Sequence, residues 1–122
     1  MKWRSKPILD LAVTNTVIEV GQNEHEIHSL EAQNINAVDI WLHLWDALEA
    51  DVTIGVTAPT LSFLVPAGDG ALYGAMDKSF PVPVGFNKGL CYACTDAKDG
   101  SGAAPAVAVV LNMGYRKIRK GE

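Results

Sequence analysis

Cysteines, aromatic residues and long apolar runs are all scarce in this chain. Only two of its 122 residues are cysteines, and a chain of this length buries roughly 65% of its unfolded surface without needing a disulfide staple. No apolar run approaches the roughly 20 residues of a membrane-spanning helix. The formal net charge of -4 provides no basic field for nucleic acid. These scarcities favour one globular domain that binds neither membrane nor nucleic acid.

Positive charge is nevertheless concentrated at the two ends of the chain. Lys2, Arg4 and Lys6 lie near the start, and residues 116–120 carry Arg116, Lys117, Arg119 and Lys120. Runs of like charge usually stay in solvent or act as interaction arms, so solvated tails are the favoured interpretation and docking onto an acidic neighbour is the alternative. The first residues lack the apolar core and cleavage site of a signal peptide, so we expect no export by that route.

The most informative stretch runs from Val38 to Asp46. Read with a period of two, it places Asp39, Trp41, His43 and Trp45 on the face opposite Val38, Ile40, Leu42 and Leu44. Two tryptophans around a histidine are costly to leave in water, so we expect this face to contact either another element of the chain or another subunit. A helix competes for the same residues, because several of them also fall at helical spacing. The unbroken alternation favours the strand.

Other segments also have the composition of strands, and Gly, Pro and Asn turns separate them. The predicted strands cover residues 7–13, 16–20, 27–33, 60–65, 80–85, 89–95 and 106–115. We expect 27–33 to form an antiparallel hairpin with the Val38–Asp46 strand. The near-continuously apolar strand 106–115 should be central, and two prolines make 80–85 an edge strand or an extended segment.

The first predicted strand alternates strictly, with Leu9, Leu11 and Val13 on one face and Ile8, Asp10 and Ala12 on the other. Together, seven or eight short strands with little helical patterning predict an all-β fold, an antiparallel β-sandwich or jelly roll. We expect residues 1–26 to form an N-terminal arm or the first strands, and residues 27–122 to form the sandwich of a single domain.

Four residues form the most tempting metal-binding set: His25, His28, Cys91 and Cys94. Residues three apart on a strand face opposite sides, so Cys91 and Cys94 converge only if the two residues between them form a turn. Their flanks indicate a strand, and we therefore expect two buried free thiols and no metal.

The remaining polar candidates also favour structural interpretations. Asp46, Glu49 and Asp51 lack the alternating oxygen ligands and the glycine of a calcium loop, so a solvated acidic turn is expected. For His43, a satisfied structural histidine is favoured over a pH-sensitive contact. No phosphate-binding loop, nucleophile elbow or nucleotide fingerprint is present. We therefore predict that the protein is not an enzyme and needs no cofactor.

Six segments, taken in order along the chain, carry a resemblance to a known class of proteins. They are Ile27–Asn34, Val38–Asp46, Thr57–Leu61 with Val65–Gly68, Gly85–Leu90 and Ala108–Tyr115. In this order the chain resembles the small β-sandwich structural proteins of tailed bacteriophage virions, which decorate or cement capsids or lie at head–tail junctions. The resemblance implies a place in the virion after assembly in the host cytoplasm. It implies binding to the major capsid protein and to copies of itself, and it supplies no catalytic residues.

We expect a capsid decoration or cement protein, with a tail or head–tail structural protein as an alternative. Such a protein buries apolar surface between subunits, at about 25 cal/mol per Å² over many symmetric copies. The expected contact residues are Trp3, the Trp41/His43/Trp45 face, and the basic end with Arg116, Lys117 and Arg119.

A carbohydrate-recognition sandwich is the alternative from another class of function. It would use Trp41, Trp45 and the turn carboxylates, because exposed aromatic rings stack on sugars. If the protein is a virion structural protein instead, we expect no small-molecule ligand.

Overall fold

The computed structural model describes residues 6–118 of the chain. Within that part, the predicted all-β sandwich is confirmed: two antiparallel sheets of four strands pack against each other. The strands are β1 (Lys6–Val13), β2 (Ile18–Gln22), β3 (His25–Asn34), β4 (Ile40–Trp45), β5 (Leu61–Val65), β6 (Gly74–Phe86), β7 (Gly89–Thr95) and β8 (Val109–Lys117). A 3₁₀ turn covers Glu49–Asp51. No helix in the described residues could cross a membrane.

The strand order places β8 and β3 in the middle of one sheet, and β7 and β4 in the middle of the other. Sheet A has the order β1-β8-β3-β6, and sheet B has the order β2-β7-β4-β5. The prediction that β8 is central is confirmed, as is the edge position of the proline-containing β6. Pro81 and Pro83 have no N–H to donate, which an edge strand tolerates because one of its sides has no neighbour. β1 and β2, within residues 6–22, supply one edge strand to each sheet.

The predicted hairpin between β3 and β4 is wrong. β3 pairs with β6 and β8, whereas β4 pairs with β5 and β7, so the connection at 35–39 crosses from one sheet to the other. Leu30 of β3 and Leu42 of β4 are both completely buried in the same core. A sandwich buries two apolar strand faces against each other by placing them in opposite layers. These two strands therefore lie in different sheets.

The predicted single face for Leu9, Leu11 and Val13 is also wrong. Val13 is 1% exposed, whereas Leu9 is 60% and Leu11 66% exposed. The pairing register between β1 and β8 shifts between Asp10 and Val13, because β1 contains one extra residue there. Such a β-bulge changes which face the following residues occupy. It turns Val13 into the core and leaves both leucines outside.

Candidate interaction surfaces

β4 is a strand from Ile40 to Trp45, so the helical alternative for this stretch is wrong. Trp41, His43 and Trp45 lie on the outer side of sheet B, as the alternation predicts. The indole of Trp45 donates its Nε1 hydrogen to the Thr57 carbonyl at 3.1 Å. Gly100 also lies close to this indole, beside Pro59. The connections 46–60 and 96–108 therefore cover this part of the face.

Two members of the aromatic face offer no exposed surface to another subunit. His43 is 0% and Trp45 is 1% exposed. The sequence left two interpretations open, contact with another subunit and contact with another element of the same chain. The second one is correct for His43 and Trp45. The physical reason is that two long connections fold back over sheet B, and such folding leaves no trace in the local alternation.

His43 lies at the centre of a hydrogen-bonded network. Its Nε2 is 2.8 Å from Thr95 Oγ1, and its Nδ1 is 2.7 Å from Ser62 Oγ. Thr95 donates its own hydroxyl hydrogen to the Ala97 carbonyl at 3.0 Å, so it accepts a hydrogen from Nε2 of the neutral ring. Nδ1 is then the acceptor for the Ser62 hydroxyl. The network joins three strands of sheet B to the start of the 96–108 connection.

Burial determines the charge of this histidine. Desolvation lowers the pKa of His43 from 6.5 to about 4, against smaller opposing effects of Ala97 and of the Asp99 carboxylate. The imidazole is therefore neutral at neutral pH, with both ring nitrogens hydrogen-bonded. This geometry supports the structural role over the pH-sensitive contact.

Trp41 is the member of the aromatic face that solvent reaches. It is half-buried and pairs in register with Leu64 of β5, which is 40% exposed. The Lys98 ammonium lies 5.6 Å from the Trp41 ring centroid, within the range of a cation–π contact. A partner that binds Trp41 must therefore displace Lys98 or include it. An interface role for Trp41 stays a prediction.

The two cysteines lie on opposite sides of β7, which runs from Gly89 to Thr95 as predicted. Cys94 belongs to the core between the sheets, and Cys91 packs with Val17 and Trp45 on the other side. Both thiols are free and completely buried. Desolvation is the main cause that raises both thiol pKa values to about 12. Residues 6–118 contain no group of three or more His, Cys, Asp or Glu side chains placed to hold a metal ion.

Asp46 fixes a turn and does not form part of an open ligand site. One of its carboxylate oxygens accepts backbone hydrogens from Asn87 at 2.9 Å and Lys88 at 2.7 Å, in the turn between β6 and β7. Glu49 lies in the exposed 3₁₀ turn. Because Trp45 is buried and Asp46 is engaged, the structure does not assemble the sugar-binding platform that the sequence suggested.

The expected contact residues at the chain ends have different outcomes. Trp3 and Arg119 lie outside the described residues. Arg116 forms an ion pair with Glu26 over 3.2 Å, and the two side chains are 15% and 22% exposed. Lys117 is exposed at the end of β8. A contact role for the basic end therefore stays a prediction, with Lys117 as its most accessible described member.

The structure also assembles a surface that sequence patterning missed. Four large apolar side chains from three connections at one end of the sandwich are exposed: Val38 at 58%, Leu72 at 71%, Tyr73 at 52% and Val107 at 53%. The connections are residues 35–39, 66–73 and 105–108. We call this surface the apolar loop end. Its members are distant in sequence, so no local pattern brings them together.

Two buried asparagines hold the three connections together. The Asn34 amide nitrogen donates to the carbonyls of Val38 at 2.9 Å and Pro66 at 3.1 Å, and its oxygen accepts from the Asn36 backbone at 2.8 Å. Asn36 in turn makes two hydrogen bonds of 2.7 Å with the backbone of Val107. Asn34 is 0% and Asn36 5% exposed. A fixed frame therefore presents the apolar side chains.

The rim of the apolar loop end is acidic. Asp39 and Asp69 are the charged residues of the three connections. Asp39 accepts a backbone hydrogen from Ala67 at 2.9 Å, and Asp69 accepts them from Leu72 and Ala71. Those backbone donors lower the pKa of Asp69. Both carboxylates thus help to shape the loops while they keep negative charge at their edge.

No protein-family model matches this chain, and no curated protein is significantly similar to it. The function is therefore inferred from the fold and its surfaces.

Proposed function

We propose that this protein is a structural component of a tailed-phage virion, a capsid decoration or cement protein that acts through contacts between subunits. The observation that supports it most directly is the apolar loop end, where Leu72 and Tyr73 stand exposed on a hydrogen-bonded frame. The order of the phage-like segments supplies the virion context. A β-sandwich that presents loops at one end is a common scaffold for binding proteins.

The frame makes this surface suited to binding. Large exposed apolar patches on a protein surface mark interaction sites, and four exposed apolar side chains lie on these three connections. Asn34 and Asn36 already bind backbone groups of Val38, Pro66 and Val107, so a partner does not have to order these connections. Preorganisation lowers the entropic cost of association, and the apolar burial contributes about 25 cal/mol per Å². A symmetric capsid repeats this contact many times, so a modest binding free energy per contact adds up over the whole assembly.

The chemistry of the apolar loop end also indicates what kind of partner surface it fits. An apolar centre with Asp39 and Asp69 at its edge fits an apolar depression bordered by Lys or Arg side chains. In the proposed role, that depression belongs to the major capsid protein. Salt should then slow association without abolishing binding, because it screens the rim more than the centre.

The test is co-sedimentation with purified capsids from the matching phage that lack this protein. We expect the wild-type protein to occupy them and the double variant Leu72→Ser/Tyr73→Ser to lose occupancy. Val82→Ser is the matched control, since Val82 is 82% exposed but lies on β6, outside the apolar loop end. Wild-type protein that fails to bind capsids, or a double variant that binds as well as wild type, contradicts the proposal.

The carbohydrate alternative has its own readout. A glycan array should give no signal with wild-type protein. Glycan binding that is lost in Trp41→Ala, with capsid occupancy absent, would replace the virion proposal by sugar recognition.

A further inference from the structure

The four edge strands of the two sheets differ in how they are protected against pairing with another chain. The free N–H and C=O groups of an edge are a template for a further strand, and natural edges carry charges, prolines or bulges that prevent such pairing. β1 and β2 each contain a bulge and a carboxylate, and β6 contains two prolines, a carboxylate and a lysine. Among the edges of the described sheets, β5 alone has none of these features.

β5 is an uncharged strand with a regular register. Leu61–Val65 includes no charged residue and no proline, and its pairing with β4 runs without a register shift. Pro59 and Pro66 flank the strand and confine a pairing site to this length. In sheet B, β5 pairs with β4 alone, so its other side is open within residues 6–118.

Two residues of β5 direct their backbone groups to this open side. In an antiparallel ladder, successive residues point their N–H and C=O groups alternately to the two sides of the strand. The Cys94 N–H donates to the connection between β1 and β2, away from β4. Leu42, which pairs with Cys94, therefore points its backbone groups towards its other partner, Phe63 of β5. Ser62 and Leu64, on either side of Phe63, then point theirs outward.

The side chains around this edge determine which strand fits it. On the inner side, Leu61 and Phe63 are partly buried against the core, and the rings of Phe63 and Phe80 of β6 meet edge-on with centroids 6.2 Å apart. On the outer side, Leu64 is 40% exposed. Because side chains alternate along a strand, an added strand meets apolar surface on both faces and no charge on β5. The matching segment is extended, uncharged and free of proline where it pairs.

We propose that β5 binds such an extended segment of a partner protein, which adds a further strand to sheet B. β5 leads directly into the 66–73 connection, where Leu72 and Tyr73 are exposed, so one partner at the apolar loop end reaches both surfaces. Backbone hydrogen bonds to Ser62 and Leu64 provide the affinity, and alternate apolar side chains provide the specificity. The inference deepens the proposed function, on which it rests for the identity of the partner.

A synthetic peptide tests the edge without capsids. The probe is the end-blocked peptide Lys-Val-Thr-Val-Thr-Val-Lys, and the control peptide has proline in place of the central valine. We expect the probe at millimolar concentration to shift the backbone amide resonances of Ser62 and Leu64 in NMR spectra, and the control peptide to leave them unchanged. Unshifted resonances with the probe, or equal shifts with both peptides, overturn the inference.

Two variants at one position separate backbone pairing from side-chain contact. Leu64→Pro removes an N–H that points away from β4, so the β4–β5 pairing is kept and affinity for the probe should fall at least about tenfold. Leu64→Thr keeps this N–H and should bind nearly as well as wild type, and both variants should keep the wild-type circular dichroism spectrum. Equal affinity of the two folded variants overturns the inference. The proline peptide decides the question by itself if Leu64→Pro fails to fold.

Hydrogen exchange on the capsids used above separates this inference from the proposed function. In the capsid-bound protein, we expect slower exchange of the Ser62 and Leu64 amides and unchanged exchange of the Val82 amide on β6. Capsid occupancy without protection of β5 overturns the inference and leaves the capsid proposal standing. Probe binding at β5 by a protein that never occupies capsids supports the strand contact and counts against the capsid proposal. A wild-type dimer with protected β5 amides identifies a second copy as the occupant and overturns the inference.

Discussion

The hydroxyl of Tyr92 donates a hydrogen bond to a carboxylate oxygen of Asp10 over 2.7 Å and thereby joins β7 of sheet B to β1 of sheet A. Desolvation and, after it, the Asp10 carboxylate raise the pKa of Tyr92 above its usual value. The contact lies on the inner side of β1, where Ile8 also packs against the core, whereas Leu9 and Leu11 are exposed.

Removal of the Tyr92 hydroxyl should destabilise the sandwich. Tyr92→Phe leaves the half-buried Asp10 carboxylate without this donor, and we expect the free energy of unfolding in urea to fall by about 1–3 kcal/mol. Tyr73→Phe is the matched control, because Tyr73 is 52% exposed. Equal stability of Tyr92→Phe and wild type would show that the contact contributes nothing to the fold.

Stability should fall as the pH is lowered through the range in which His43 titrates. Burial lowers the folded-state pKa of His43 to about 4, below the usual histidine value of 6.5. Between these two values the unfolded chain binds a proton that the folded chain does not, so acid favours unfolding. The loss should reach about 3 kcal/mol near pH 4 and then level off, while above pH 6.5 the contribution is fully present.

The measurement is urea denaturation at a series of pH values for wild type and His43→Leu. The variant should be less stable at neutral pH, because Ser62 and Thr95 lose their partner. The difference between the two proteins should narrow as the pH falls from 6.5 to 4. A constant difference across that range would show that His43 has an ordinary pKa.

The two tryptophans of β4 should respond differently to truncation. Trp45→Ala removes an indole that is 1% exposed and should cost about 3–5 kcal/mol of stability. Trp41→Ala removes a half-buried ring and its cation–π contact with Lys98, and should cost less. Thermal melting of both variants checks the order. Equal melting temperatures would contradict the burial of Trp45 beneath the connections.

Asn36 should prove essential for the frame of the apolar loop end. Asn36→Ala removes both hydrogen bonds to Val107 and the one to Asn34, leaving part-buried backbone groups without partners. We expect a loss of about 2–4 kcal/mol in unfolding free energy. Hydrogen exchange of the Val107 amide should also accelerate. Asn112→Ala, at an exposed position on β8, is the control and should change neither quantity.

Local patterning predicted the individual strands well. Alternation indicated a strand at β4 and at β7, and it placed Cys91 and Cys94 on opposite sides. These predictions succeeded because the two-residue period of a strand is a property of the backbone and leaves its record in the sequence.

Strand pairing and surface coverage could not be predicted in the same way. The pattern of β3 and β4 is the same whether the strands lie side by side or in opposite layers, so the hairpin was wrongly predicted. The cover over Trp45 comes from Thr57 and Gly100, residues distant along the chain. Neither feature has a period that local inspection can detect.

By itself, the sequence determined where strands form, which residues alternate, and that the chain folds as a β-sandwich. The tertiary structure alone decided which outward face is covered and which is open: Trp45 is enclosed by loops, whereas Leu9, Leu72 and Tyr73 remain in solvent. The physical reason is that alternation distinguishes the two sides of a strand. What lies against each side depends on long-range contacts, such as those of Asn36 with Val107 and of Tyr92 with Asp10.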